Sequence, residues 1–292
     1  MSFIKKVINN GNVELYKYDG EDLKEHSSSS NQDLSPTSEL MHICFLDTET
    51  TGTNLQQDKI IEIALKVIEI NKNTGGDIKV IDSYQSLQDP GIPIPESASE
   101  INGIYDVDVK GKNIDWDKVS HLISNAQLVV AHNAKFDRPF VDSQIEASKN
   151  NKIWACSIND INWMERGFKN TKQELLCIWH GFYYESHRAM LDVDALIHLV
   201  TNNNYETNFP IIELIGNARR SQCVAYAFNA PIKNKDILKS NKYRWDPNKK
   251  VWHRTIERTQ LEDERLWLEE NVYDGNFTGQ FIEITPADKY KQ

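Results

Sequence analysis

A short apolar run, Ile43 to Leu46, leads straight into two carboxylates, Asp47 and Glu49, and then into Thr50, Thr51 and Gly52. Alternate side chains of a strand share a face, so Asp47 and Glu49 project together while Thr48 points away. Two acids side by side at the end of a buried strand repel each other and lose hydration. A cation between them relieves both penalties. A strand end running into a polar turn is the plain alternative for one such pair, so the rest of the chain must supply matching ligands.

Two further places do. Leu128 to His132 reads as a buried strand that runs into Asn133, and Phe136 to Ala147 reads as a helix, with Pro139 tolerated in its first turn. Asp137 shares a helix face with Phe140 and Val141 and should point inward with them, whereas Asp142 should be solvated. The third place runs from His187 to Val200, helical from about Ala189. Asp192 lines up with the apolar Ala195, Leu196 and Leu199, while Asp194 lies roughly 200° around the helix and should be wet. His187 is expected in the loop before that helix, leaning over the same site.

The set Asp47, Glu49, Asp137 and Asp192, with His187, is oxygen-rich. It suits hard cations such as Mg²⁺ or Mn²⁺ rather than zinc, and a pair of them would make a two-metal phosphodiester cleavage centre. Histidine, which ordinarily titrates near neutral pH, suits the general base. An isolated His187 would read as an exposed loop histidine. The other motif pieces give it a context.

Three segments, Asp47 to Glu49, His132 to Asp137 and His187 to Asp192, together resemble the three motifs of the DEDDh 3′-to-5′ exonucleases. These are related to the proofreading epsilon subunit of bacterial replicative polymerase and to ribonuclease T. The resemblance spans about residues 41–203. It implies that Asp47, Glu49, Asp137 and Asp192 hold two metal ions and that His187 is the base. It also implies that the loop Thr50, Thr51 and Gly52 grips the terminal nucleotide, with Asn102, His132 and Asn133 as further substrate-side residues. Thr53 and Asn54 stand where many relatives carry an apolar wedge, and Asn102 stands where they often carry histidine. Trp154, Cys156, Ser157 and Trp163 have the look of one bacterial branch, although core packing accounts for them as well.

The 292-residue chain carries a net charge of −10, awkward for a protein that binds nucleic acid. The charge is unevenly spread: Arg219 to Arg258 holds eleven Lys or Arg against three Asp or Glu, which leaves the remainder strongly acidic. No apolar run approaches the roughly 18 residues of a membrane span, and the N-terminus lacks a signal-peptide core. Cys44, Cys156, Cys177 and Cys223 are scattered, which argues against a zinc site or a disulfide framework and agrees with a reducing cytoplasm.

Three regions follow. Residues 1–40 form an N-terminal segment with a possible strand, Val13 to Tyr18, and a serine-rich linker at 27–37. Residues 41–203 form the exonuclease domain, opening with a strand meander at Ile43–Leu46, Ile60–Ile70 and Lys79–Leu87, with a turn at Asn73 to Gly76. Strands and helices then alternate, giving an α/β fold, a mixed sheet with flanking helices that the resemblance implies is ribonuclease-H-like. Residues 212–292 form a small α+β module: a helix from Ile212 to Phe228, a hairpin around Asp246, Pro247 and Asn248, and a helix opened by a Thr259–Glu262 capping box. Tyr243, Arg244, Trp245 and Trp252 are its candidate strand-binding residues, although at least one tryptophan is expected in the module's own core. The hairpin has a faint likeness to annealing modules of some DNA helicases.

The expected function is metal-dependent 3′-to-5′ hydrolysis at a free nucleic-acid 3′ end, DNA favoured over RNA, releasing nucleoside monophosphates. The alternatives are an RNA-trimming exoribonuclease or a non-catalytic replication or repair accessory, and a polymerase or repair partner is compatible with any of them.

Overall fold

The computed structural model describes residues 3–4, 7–23, 39–202, 204–205 and 208–291; the serine-rich linker expected at 27–37 lies outside them. The chain forms two units, residues 1–218 with 290–292, and residues 219–289.

The first unit is built on strands β1 (Leu40–Thr50), β2 (Ile60–Asn71), β3 (Lys79–Leu87), β4 (Leu128–Ala131) and β5 (Trp154–Cys156), in the spatial order β3-β2-β1-β4-β5. β1, β2 and β3 form an antiparallel meander, while β4 and β5 run parallel to β1. The meander's second turn is held by Asn71, whose side-chain oxygen accepts from the amides of Asn73 and Thr74 at 3.0 and 3.2 Å. The helices longer than one turn are α1 (Glu96–Asn102), α2 (Trp116–Asn125), α3 (Ala134–Asp142), α4 (Gln173–Trp179), α5 (Ala189–Val200) and α6 (Pro210–Ala218). This mixed sheet with flanking helices is the expected α/β architecture.

Both faces of β1 are covered, and the period of two sorts its residues. Met41, Ile43 and Phe45 pack with Val193 and Leu196 of α5, whereas Cys44 and Leu46 pack with Val119 and Leu122 of α2 and Val141 of α3. Burying each such side chain stabilises the fold by about 1.5–3 kcal/mol, so the register of β1 is strongly fixed. That register carries Asp47 and Glu49 onto the α5 face and Thr48 onto the α3 face.

Several expectations need correction. The strand expected over Val13 to Tyr18 is broken: Asn12–Val13 pairs with Ile8–Asn9, and Tyr16–Lys17 pairs in parallel with Phe182–Tyr183. This segment then packs Tyr18 and Leu23 into the core beside α5. The helix expected to reach Ala147 ends at Asp142, where the Ser143 hydroxyl donates to the Phe140 carbonyl. Asp142 is buried rather than solvated, paired with the fully buried Arg138 and hydrogen-bonded by Ser148. The helix expected over Ile212 to Phe228 is two elements. α6 buries Ile211, Leu214, Ile215 and Ala218 in the first unit, and the following strand switches to a period of two, burying Cys223, Ala225 and Ala227.

The second unit therefore begins at 219 rather than 212. It contains β6 (Gln222–Ala227), α7 (Lys235–Ser240), β7 (Arg244–Asp246), β8 (Val251–Glu257), α8 (Leu261–Asn271) and β9 (Gln280–Ile284). The strands form an antiparallel sheet in the order β7-β8-β6-β9. The β7–β8 hairpin forms as expected, and Asp246 accepts from the amides of Asn248 and Lys249 in its turn. The capping box before α8 is made by Glu257 and Gln260, not by Thr259 and Glu262, because a short 3₁₀ turn over Arg258–Gln260 precedes the helix. Among the described residues no helix is long and apolar enough to cross a membrane.

Candidate active site

The C-terminal end of β1 delivers Asp47 and Glu49 to the face covered by α5, and the first turn of α5 delivers Asp192. Carboxylate oxygens of these three residues lie within 4.8 Å of one another. Asp137 arrives from α3 on the opposite layer and is only 3 % exposed. Its Oδ1 accepts from the Thr48 amide and hydroxyl at 3.1 and 2.8 Å, the side chain that β1 turns the other way. All four acids line one cleft of about 440 Å³, together with His132, Asn133, Phe136, Lys172, Glu174 and His187.

The electrostatics are those of stacked negative charge. Burial, followed by the charges of Asp137, Asp192, Glu49 and Glu62, pushes Asp47 well above the carboxylate range. Glu49 is pushed up to about 8 by burial and then by Asp192 and Glu62, partly offset by a hydrogen bond from Asn102. Asp137 rises to about 7 through burial, against the opposing hydrogen bonds from Thr48. Asp192 rises through burial, moderated by Tyr184 and by the nearby His187. A group of acids kept uncomfortable in this way fits divalent cations with oxygen ligands.

His187 occupies the loop before α5, as expected. It has a left-handed backbone (φ 67°), its side chain is half exposed, and its Nε2 lies 3.6 Å from Glu174 Oε1. The other expected substrate residues divide. Asn133 is exposed on the cleft wall. Asn102 is buried, where its oxygen accepts from the Ile104 amide and its side chain reaches Glu49. His132 lines the cleft but uses both ring nitrogens internally: Nε2 donates to the Thr171 carbonyl at 2.8 Å, so Nδ1 accepts from the Ser157 hydroxyl at 2.7 Å. Burial pushes its pKa down to about 4. Thr50, Thr51 and Gly52 close a loop of their own. Thr50 donates to the Gly52 carbonyl, Thr51 donates to Asp58, and a Cβ on Gly52 would strike the Asp58 carboxylate. The glycine thus permits a close approach to Asp58.

Asp194 is not the solvated residue its helical angle suggested. It is 6 % exposed and paired with the buried Lys66 of β2, because the N-terminal segment closes over that side of α5. Gly20 of that segment approaches so closely that a Cβ there would meet the Asp194 carboxylate.

Sequence reading missed several supporting residues. The Tyr184 hydroxyl donates to Asp192 Oδ1 at 2.7 Å, and Gln173 donates to the Asp192 carbonyl at 2.8 Å. Glu62, fully buried on β2, stands directly opposite Glu49 in the ladder. Its carboxylate accepts from the Ala189 amide at 3.2 Å, Arg188 at 3.3 Å and Gln85 at 2.8 Å, which ties down the start of α5. A single acid in the apolar run Ile60 to Leu65 was the available signal for it.

In the second unit the expected strand-binding set also divides. Tyr243 is buried, donates to Glu264 at 2.8 Å and lies parallel to Trp267 at 6.2 Å, so it is a core residue. Trp252 packs against the same core. Trp245 stays half exposed over Trp252 with ring centroids 5.5 Å apart, and Arg244 is exposed.

The chain is similar to known exonucleases and polymerases. Over 162 residues the chain is 30 % identical to DNA polymerase III PolC-type of Listeria innocua, and over 170 residues 29 % identical to that of Bacillus subtilis. Each alignment covers 53 % of this chain and 11 % of the relative, so the chain spans about a tenth of the length of the curated relatives it matches. Among solved structures, Escherichia coli exonuclease I in complex with a dT13 oligonucleotide gives a TM-score of 0.49 at 15 % identity, covering 63 % of this chain and 48 % of that one. Exonuclease X in complex with 5′ overhanging duplex DNA gives 0.40 at 22 %, covering 59 % and 99 %. Residues 44–200, more than half of the chain, match the RNase_T exonuclease model, and with the DEDDh residues placed as described the chain belongs to that exonuclease family.

Proposed function

We propose that this chain is a metal-dependent 3′-to-5′ exonuclease that hydrolyses phosphodiester bonds at the 3′ end of DNA and releases nucleoside monophosphates. The observation that carries the proposal is the convergence of the Asp47, Glu49 and Asp192 carboxylates within 4.8 Å of one another, with Asp137 on the same cleft. Asp47, Glu49, Asp137 and Asp192 would hold two Mg²⁺ or Mn²⁺ ions, which supply Lewis-acid activation of a water and neutralise charge on the phosphate.

The chain's own groups divide the remaining work. His187, half exposed at the rim, takes the proton of the attacking water at its imidazole, and Glu174, 3.6 Å from Nε2, supports the charged ring that results. Tyr184 and the Arg188 amide hold Asp192 from two sides, at 2.7 and 3.1 Å. Asn133, Phe136 and Lys172 line the cleft and offer a hydrogen-bonding group, an apolar ring and a cation to the terminal nucleotide. The preference for DNA is supported by the names of the relatives, and a replication or repair partner belongs to the same reading. A cytoplasmic setting is supported by the four buried free thiols.

The test is digestion of matched 5′-labelled DNA and RNA oligonucleotides with Mg²⁺ or with EDTA. A ladder shortening from the 3′ end of DNA, abolished by EDTA, is expected. Faster RNA trimming would transfer the assignment to an exoribonuclease, and an inert protein would leave a binding role.

A further inference from the structure

We propose that the sheet face of the second unit turned away from α8 is a stacking platform for single-stranded DNA, distinct from the hairpin aromatics that the sequence singles out. The inference rests on the nucleic-acid reading of the cleft but concerns residues of its own.

The two faces follow from register. Trp252, Arg254 and Ile256 of β8 stand opposite Ala227, Ala225 and Cys223 of β6. Arg254 pairs with Glu264 of α8, and Ala225 and Ala227 share a core with Leu268 and Val272, so this is the helix-covered face. Trp245 stands opposite Trp252 and belongs to it. The alternate residues make the other face. There Tyr226 faces His253 across one neighbour and Gln280 across the other, Arg244 faces His253, and Val224 lies between Thr255 and Ile282.

This open face combines rings and cations. The Tyr226 ring lies 5.7 Å from Phe228 at an interplanar angle of 26°, and 6.1 Å from His253. The Lys249 ammonium is 5.3 Å from the Tyr226 ring centroid and 3.3 Å from its hydroxyl. Arg244 and Thr255 are exposed, and Ile282 is 45 % exposed. Five carboxylates, Glu262, Asp263, Glu264, Glu269 and Glu270, lie on α8, across the sheet from these cations, while by register Glu257, hydrogen-bonded by Gln222, and Asp246, which accepts from the turn amides, share the open face. Arg244 and Lys249 supply the cations for a polyanion, while Tyr226, Phe228 and His253 offer flat surfaces to unpaired bases. A paired duplex hides its base faces, so the complement of the platform is a single strand.

The experiment measures binding of a fluorescein-labelled oligothymidine to the full chain in EDTA, across a series of salt concentrations. Tyr226→Ala should weaken binding roughly tenfold, and Arg244→Gln with Lys249→Gln should also flatten the salt dependence. Tyr226→Phe keeps the ring and should bind as wild type, and Trp245→Ala should have little effect. The exposed Arg244 and Lys249 variants keep the test open if Tyr226→Ala fails to fold. Unchanged affinity in folded Arg244 and Lys249 variants would overturn the proposal, as would tighter binding of oligouridine than oligothymidine. Degradation of DNA with Mg²⁺ is scored separately. Digestion together with oligothymidine binding that does not depend on Tyr226 defeats the platform alone, and Tyr226-dependent binding without digestion defeats the nuclease reading alone.

Discussion

One helix of this protein carries acids in two settings, the half-buried Asp192 and the buried Asp194, and they are opposites. Asp192 joins Asp47, Glu49 and Asp137, and among the described residues no lysine or arginine is paired with any of them. Asp194, two residues later, is buried against Lys66. Asp142 repeats the second pattern with Arg138. All of them are at least partly withdrawn from solvent, Asp47, Glu49 and Asp192 half-buried and Asp137, Asp142 and Asp194 buried, so burial alone does not mark function. The absence of a protein cation does, because unneutralised acids raise one another's proton affinity and leave a place for a metal.

The sharpest break of this comparison is a pair of substitutions. Asp192→Asn should lower Mg²⁺-dependent digestion by roughly a thousandfold while the thermal midpoint holds or rises, because a repulsive charge is removed. Asp194→Ala should do the reverse. It strands Lys66 inside the fold and should destabilise it by about 3–5 kcal/mol, with the specific activity of the folded fraction retained. Denaturant melts and digestion of a labelled oligonucleotide, run on both variants, measure this. Equal melting losses in the two would erase the distinction.

Glu62 tests the boundary between the two patterns, since it is a buried acid that touches both Arg188 and the start of α5. Glu62→Gln should slow turnover roughly ten- to hundredfold, with KM little changed and melting close to wild type. A KM effect alone would move Glu62 to substrate binding.

The smallest expected effect is in the pH dependence of stability. Glu49 rises from its ordinary 4.5 to about 8 in the fold, so the folded state holds this proton more tightly than the unfolded chain. Its deprotonation therefore removes stability as pH rises from about 4.5 to about 8. In EDTA, wild type should lose more melting temperature between pH 5 and pH 8 than Glu49→Gln. The difference between the two isolates Glu49 from the buried His132, whose depressed pKa acts in the opposite sense. Added Mg²⁺ should shrink the gap, and parallel pH profiles in EDTA would contradict the stacked-charge account.

The strands that carry the site were readable because β1 and β2 are long and apolar, and alternation fixes which side chains share a face. The same local logic failed for Asp194 and Asp142. A helical angle says which direction a residue faces but not what arrives from that direction, and here the N-terminal segment arrives from far along the chain and Ser148 from six residues on, past the end of α3. It failed again at Tyr243, where an aromatic-basic composition fits a surface and a core equally well, and register with the helix-covered face selected the core.

From residue order alone came the four acids, the histidine that precedes the last of them, and the strand and helix on which each rides, since these depend on short-range periodicity. Only the assembled chain sorts the acids into those matched by lysine or arginine and those clustered without one, and the aromatics of the small sheet into its core and its open face. Such sorting depends on long-range neighbours, and charge energies change most steeply with who stands within a few ångströms.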